Sequence, residues 1–186
     1  MPSTCEVHWV PEAIEASDYE NRPWASRSID VLAFGRSHPT HHEALKSGCE
    51  ARGLRYVSDR FPSAAEFVTA LGSAKVSICF PRSMTHPEIA GGTSTVTLRY
   101  LQSMAAKSLI VGASPADAVQ MFGYDPVVAV DWQDPVGQLA KIVRESGPYE
   151  ELIERNYATV TAHHQAEQFV GRVNALVAAR LQNQRQ

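Results

Sequence analysis

Residues 75–112 read KVSICFPRSMTHPEIAGGTSTVTLRYLQSMAAKSLIVG. An apolar run over 76–80 gives way to a polar stretch over 81–94 that contains the pair Gly91-Gly92. A helical pattern occupies 95–106, and a second apolar run over 108–111 stops at Gly112. Strand, long loop, helix and strand in that order make a βαβ unit. The carboxyl end of its first strand, running into a glycine pair and a helix start, is where α/β proteins hold anionic ligands.

The same alternation extends outward. Upstream, a strand over 29–34 ends at Gly35-Arg36, and a helix over 41–52 is stopped by Gly53. A short strand over 54–57 precedes Ser63-Ala64-Ala65-Glu66, a capping box that opens a helix running to Gly72. Downstream, a helix near 115–122 and a strand over 127–130 lead to Asp134-Pro135, an N-cap with proline at the first helical position. That helix runs to about 145, Gly147-Pro148 breaks it, and the remainder reads as helical up to a frayed 182–186. Phe169, Val170, Val173, Leu176, Val177 and Leu181 form an apolar stripe in the last helix. The first 28 residues are irregular, with a short strand expected at 7–10. The pattern predicts a three-layer, Rossmann-like α/β domain over 29–186 with a mostly parallel sheet, preceded by a linker over 1–28.

Bulk properties narrow the function. The 186 residues are 44% hydrophobic and 20% charged, enough for one full core. A net charge of -3 supplies no surplus for nucleic acid or an anionic membrane. Cys5, Cys49 and Cys79 are widely spaced and form no CxxC, which argues against a disulfide framework or zinc knuckle and fits a cytoplasmic protein. No apolar run approaches the roughly 20 residues of a membrane span, and the amino terminus lacks the basic and apolar regions of a signal peptide. GxGxxG, Walker, GxSxG and HExxH patterns are absent.

Ligands of parallel sheets bind beyond the strands' carboxyl ends. Here those ends carry Gly35-Arg36-Ser37, Pro81-Arg82-Ser83, Gly112-Ala113-Ser114 and Asp131. Gly91 and Gly92 admit close backbone approach, while Thr93, Ser94 and Thr95 offer hydroxyls and orphan N–H groups at the expected helix start. On that helix Thr95, Arg99, Gln102 and Ala106 share one line, and the rest of the circumference is largely apolar, so the helix is expected to be buried. Two readings of the line stay open: Arg99 on a ligand anion with Gln102 on hydroxyls, or Arg99 on a structural carboxylate with Gln102 capping a loop. The 81–94 stretch is likewise either a ligand cradle or a surface loop with an ordinary N-cap. His38, His41 and His42 lack a metal-site spacing and read as helix-start residues near solvent, one of them within reach of a ligand at the Gly35-Arg36 turn; His163-His164 reads as surface.

The run over 97–112 resembles the R-x-x-E-A-x-A-x-G-x-x-V segment of group 1 glycosyltransferases, which lies in the nucleotide-sugar-binding, C-terminal half of the GT-B fold. Residues 7–12 look like the interdomain linker, and 29–36 look like that half's first strand and Gly-Arg turn. The resemblance implies a domain that binds a nucleotide diphospho-sugar, with the diphosphate at Gly91, Gly92, Thr93, Ser94 and Thr95, Arg36 as cationic partner and Gln102 at the ribose. Ser37, Arg82 and Arg99 complete the expected donor site, and no metal or other cofactor is expected. Ser94 and Gln102 stand where the family has glutamates, which leaves Glu88 as the candidate catalytic carboxylate. The acceptor is expected to be held by a missing N-terminal domain or a partner subunit. The alternatives are a non-catalytic interaction module or degenerate half, which the missing glutamates favour, and a flavodoxin- or receiver-like domain. The arginines at the strand ends oppose the acidic cluster a receiver needs.

Overall fold

Strands of this chain are short, apolar and bounded by small or polar residues, so they bury both faces and pair in parallel. The computed structural model describes residues 7–58 and 60–183. Its strands β1 (Ile29–Ala33), β2 (Tyr56–Ser58), β3 (Ala74–Cys79), β4 (Leu109–Gly112) and β5 (Val128–Ala129) form one all-parallel sheet in the order β2-β1-β3-β4-β5. Val31 lies beside Tyr56 on one side and Val76 on the other, and Ile78 lies beside Val111. The helices are α1 (His42–Ala51), α2 (Ala64–Gly72), α3 (Arg82–Thr85), α4 (Pro87–Ala90), α5 (Leu98–Ala105), α6 (Ala118–Phe122), α7 (Pro135–Arg144), α8 (Glu150–His163) and α9 (Ala166–Asn183).

Successive strand residues point to opposite faces. Val31, Val76, Ile78, Leu109 and Val111 pack with Leu45 and Cys49 of α1 and with Leu139, Ile142 and Val143 of α7. Leu32 packs with Leu71 of α2, and Cys79 and Ile110 pack with Tyr100, Leu101 and Met104 of α5. This is the expected three-layer arrangement. Burial of Cys79 pushes its thiol up to about 11, consistent with a small core residue. No helix among the described residues is long and apolar enough to cross a membrane.

Several local expectations shift. The 81–94 stretch is folded into α3 and α4, with Pro87 opening α4 and Gly91 (φ 56°) closing it in the left-handed conformation. The next helix begins at Leu98, three residues later than predicted. Thr95, Val96 and Thr97 are consecutive β-branched residues, which favour extended backbone. The Val96 N–H is also drawn away to the Asp117 carboxylate at 2.8 Å. The strand expected at 7–10 does not form. Instead Ile14 bridges to Gln165, and Ile14, Ala16 and Arg27 are buried against the domain. His164, expected at the surface, is 3% exposed and packs edge-on against Phe122; burial pushes its pKa down to about 4. Helix α9 forms as its pattern requires, yet Val170, Val177 and Leu181 of its stripe are more than half exposed. The tail expected to fray is helical through Asn183, and 184–186 lie outside the described residues, as does Cys5.

Candidate functional site

The direction of the strand order reverses between β1 and β3, which opens a crevice beyond their carboxyl ends. Arg99, in the first turn of α5, reaches across this point. Its guanidinium donates to the carbonyls of Phe34 (3.2 Å), Arg36 (2.8 Å) and Phe80 (3.0 Å). Arg99 is 8% exposed, and these carbonyls replace the water it loses on burial. The structural carboxylate of the second sequence reading is not its partner among the described residues. Gly35 adopts φ 73° beneath this side chain, where an added Cβ would lie 3.0 Å from Arg99 Cδ. Glycine is therefore required both by backbone angle and by close approach.

A crevice of about 770 Å3 lies alongside. Gly35 and Arg36 from the β1 end, Arg60 and Phe61 after β2, Ser63 and Phe67 at the α2 start, and Thr97 and Leu98 at the α5 start line it. Phe34, Phe61 and Phe67 build its apolar wall, their rings 5.1 and 5.6 Å apart. The positive character comes from several sources. Burial, then the neighbouring Arg99 and Arg82 guanidiniums, lower the Arg36 pKa from the ordinary arginine value. Arg36 and Arg82 have no acidic partner among the described residues. The α5 start adds partial positive charge, and Thr97 makes no side-chain cap, so the first N–H groups lack that partner. The Thr97 hydroxyl is itself buried without a hydrogen bond.

The predicted residues divide. Arg36 and Arg99 come together at the crevice; Arg82 lies near enough to lower the Arg36 pKa but is exposed and, like Ser37 immediately beyond Arg36, is not among the crevice-lining residues. Gly91 through Thr95 are not a helix start. A Cβ at Gly91 or Gly92 would meet no protein atom within 4 Å, and both glycines adopt positive φ in the turn after α4. The Thr93 N–H donates to the Ala90 carbonyl, and the Ser94 hydroxyl accepts from the Ala116 N–H, joining the loop to the segment before α6. Thr95 lines a different cavity. Gln102 stands beside Tyr19, where burial raises the phenol pKa and the Gln102 side chain partly offsets that rise. Glu88 is exposed on α4 and is not among the crevice-lining residues; the carboxylate that lines it is Glu12.

Arg60, Phe61 and Thr97 belong to the crevice without having been singled out, and Ser63, read only as a helix cap, lines it as well. A signal existed for Arg60, which follows the β2 carboxyl end as Arg36 follows that of β1. His38 and His41 pack with Trp132 and Phe80, with His41 and Trp132 ring centres 4.2 Å apart. Burial and the neighbouring His41 lower the His38 pKa.

A three-layer, Rossmann-like domain with its open crevice at a β1/β3 switch point is the architecture of one half of a GT-B fold. The sequence matches no protein-family model and no curated protein. Among solved structures it is similar to AviGT4, a glycosyltransferase involved in avilamycin A biosynthesis, with a TM-score of 0.52 and 17% sequence identity. The match covers 91% of this chain and 58% of that one, so the chain corresponds to less than two-thirds of its neighbour's length. The likeness establishes a glycosyltransferase-like fold. The strand order itself, β2-β1-β3-β4-β5, is shared with flavodoxin-like proteins.

Proposed function

We propose that the crevice binds the diphosphate of a nucleotide sugar and that the chain is the donor-binding part of a glycosyltransferase. The observation that carries this reading is the crevice at the β1/β3 switch point, lined by Arg36 and Arg99 together with the uncapped start of α5. Such a cluster is relieved by an anion, and a diphosphate accepts several charge-assisted hydrogen bonds at once. Relative to the sequence reading, the anion moves from 91–95 to Arg36 and the backbone at 97–99. The phenylalanine wall offers an apolar surface to the rest of the donor. The acceptor is assigned to a further domain or partner subunit, for which the exposed stripe of α9 offers a docking face. With Glu88 outside the crevice and Ser94 engaged on Ala116, binding is the activity assigned to this chain and turnover belongs to the assembled protein.

A thermal-shift screen with UDP, GDP and ADP tests this, because a ligand of the native state alone raises its stability. At least one nucleotide is expected to raise Tm, and Arg36→Ala should weaken its binding by about tenfold or more. Calorimetry that finds no nucleoside diphosphate binding at millimolar concentration would overturn the reading.

A further inference from the structure

A second cavity, of about 650 Å3, shares a wall with the crevice. Thr95 lines this cavity and Thr97 the crevice, so one loop separates them, its two faces within about 7 Å of each other along the chain. The cavity's apolar base is Phe122, buried against the His164 ring, with Met121 beside it. Trp9 stands at the cavity 63% exposed, its indole without a hydrogen bond or ring contact among the described residues. The polar groups are mixed. Gln120 is exposed and brings an amide that both donates and accepts. Asp117 spends one carboxylate oxygen on the Val96 N–H and keeps the other. Arg172 spends one N–H on the His163 carbonyl and keeps the rest of its donors.

We infer that this cavity is a carbohydrate-binding site, separate from the cationic crevice. A sugar ring presents a flat face of C–H groups that packs on an indole, and a rim of hydroxyls that each donate and accept. A carboxylate, an amide and a guanidinium around an exposed tryptophan meet both needs. A purely apolar ligand leaves all three polar groups unmatched, and the opposite charges of Asp117 and Arg172 give no net preference for an anion. The volume suits one or two sugar rings. The cavity lies one loop away from the crevice, and carbohydrate binding in it does not depend on what the crevice holds.

The test is calorimetric titration of the whole chain with methyl α-glucoside, methyl α-mannoside, methyl β-galactoside, maltose and chitobiose. At least one should bind saturably with a Kd in the millimolar range, weakened about tenfold in Trp9→Ala and in Gln120→Ala. Trp9 and Gln120 are both exposed, so neither truncation removes core packing, and an unchanged melting transition checks this. No saturable binding of any of these sugars at about 50 mM, or binding that Trp9→Ala leaves intact, overturns the assignment. Nucleoside diphosphate titration of the same samples reports on the crevice alone, so the two readings fail separately.

Discussion

Two buried arginines sit at opposite ends of the sheet and use one device to different effect. Arg27, at the amino end, donates to the carbonyls of Arg22 (2.9 Å), Ala74 (2.6 Å) and Ala106 (3.0 Å). Arg99, at the carboxyl end, donates to those of Phe34, Arg36 and Phe80. Their exposures are 5% and 8%. Each clamps segments remote in sequence, and each is held by carbonyls rather than by a carboxylate. The surroundings differ. Ala106 caps the carboxyl end of α5, where the helix dipole is negative and a cation is favoured. Arg99 lies in the first turn of the same helix, where the dipole is positive, and Arg36 and Arg82 add to it. The helix dipole thus favours the cation at the amino end, although burial and Arg22 still lower the Arg27 pKa to about 10, and opposes it at the carboxyl end.

The largest expected effect tests whether the clamps are equivalent. Arg27→Ala and Arg99→Ala each orphan three carbonyls and should each cost about 3 kcal/mol or more in urea unfolding. If Arg99→Ala leaves stability unchanged, the carboxyl end is not clamped and the comparison fails. Next comes Gly35→Ala, which meets Arg99 Cδ at 3.0 Å on a backbone at φ 73°. A loss of about 1–2 kcal/mol is expected, and nucleotide affinity should fall with it because the substitution displaces the guanidinium beside Arg36. The smallest effect belongs to the amino end. Lys107 follows α5 at φ 51°, a conformation that glycine adopts without strain, and it bonds Glu154 at 2.7 Å and covers the Tyr157 ring. In Lys107→Gly the backbone gain and the lost surface contacts nearly cancel, so the unfolding midpoint should move by less than about 0.5 kcal/mol.

Much of the fold was legible because it depends on period. Val76–Phe80-type runs, the 3.6 spacing of α5 and the Asp134-Pro135 start are local signals, and each produced its element. Asp134 does accept from the Gly137 N–H at 2.9 Å. The site was only partly legible. Arg36 and Arg82 stand at strand ends, which alternation alone reveals. The late start of α5 was visible in Thr95-Val96-Thr97, but the Asp117 carboxylate that holds Val96 extended comes from 21 residues away. His164 follows a helix end like many surface histidines, and only Phe122 packing on it makes it buried.

By itself, then, the sequence determined the alternating α/β architecture, the parallel sheet, the burial of α5 and the presence of arginines where the strands end. Tertiary structure alone decided what those arginines do. The Arg99 guanidinium meets carbonyls 65 and 19 residues away, brought together by the crossover between β1 and β3. Periodicity reports which face of an element is buried. Which donor meets which acceptor depends on how elements distant in the chain are laid side by side, and here that placement spent Arg99 on the scaffold and set Arg36 on the crevice wall beside it.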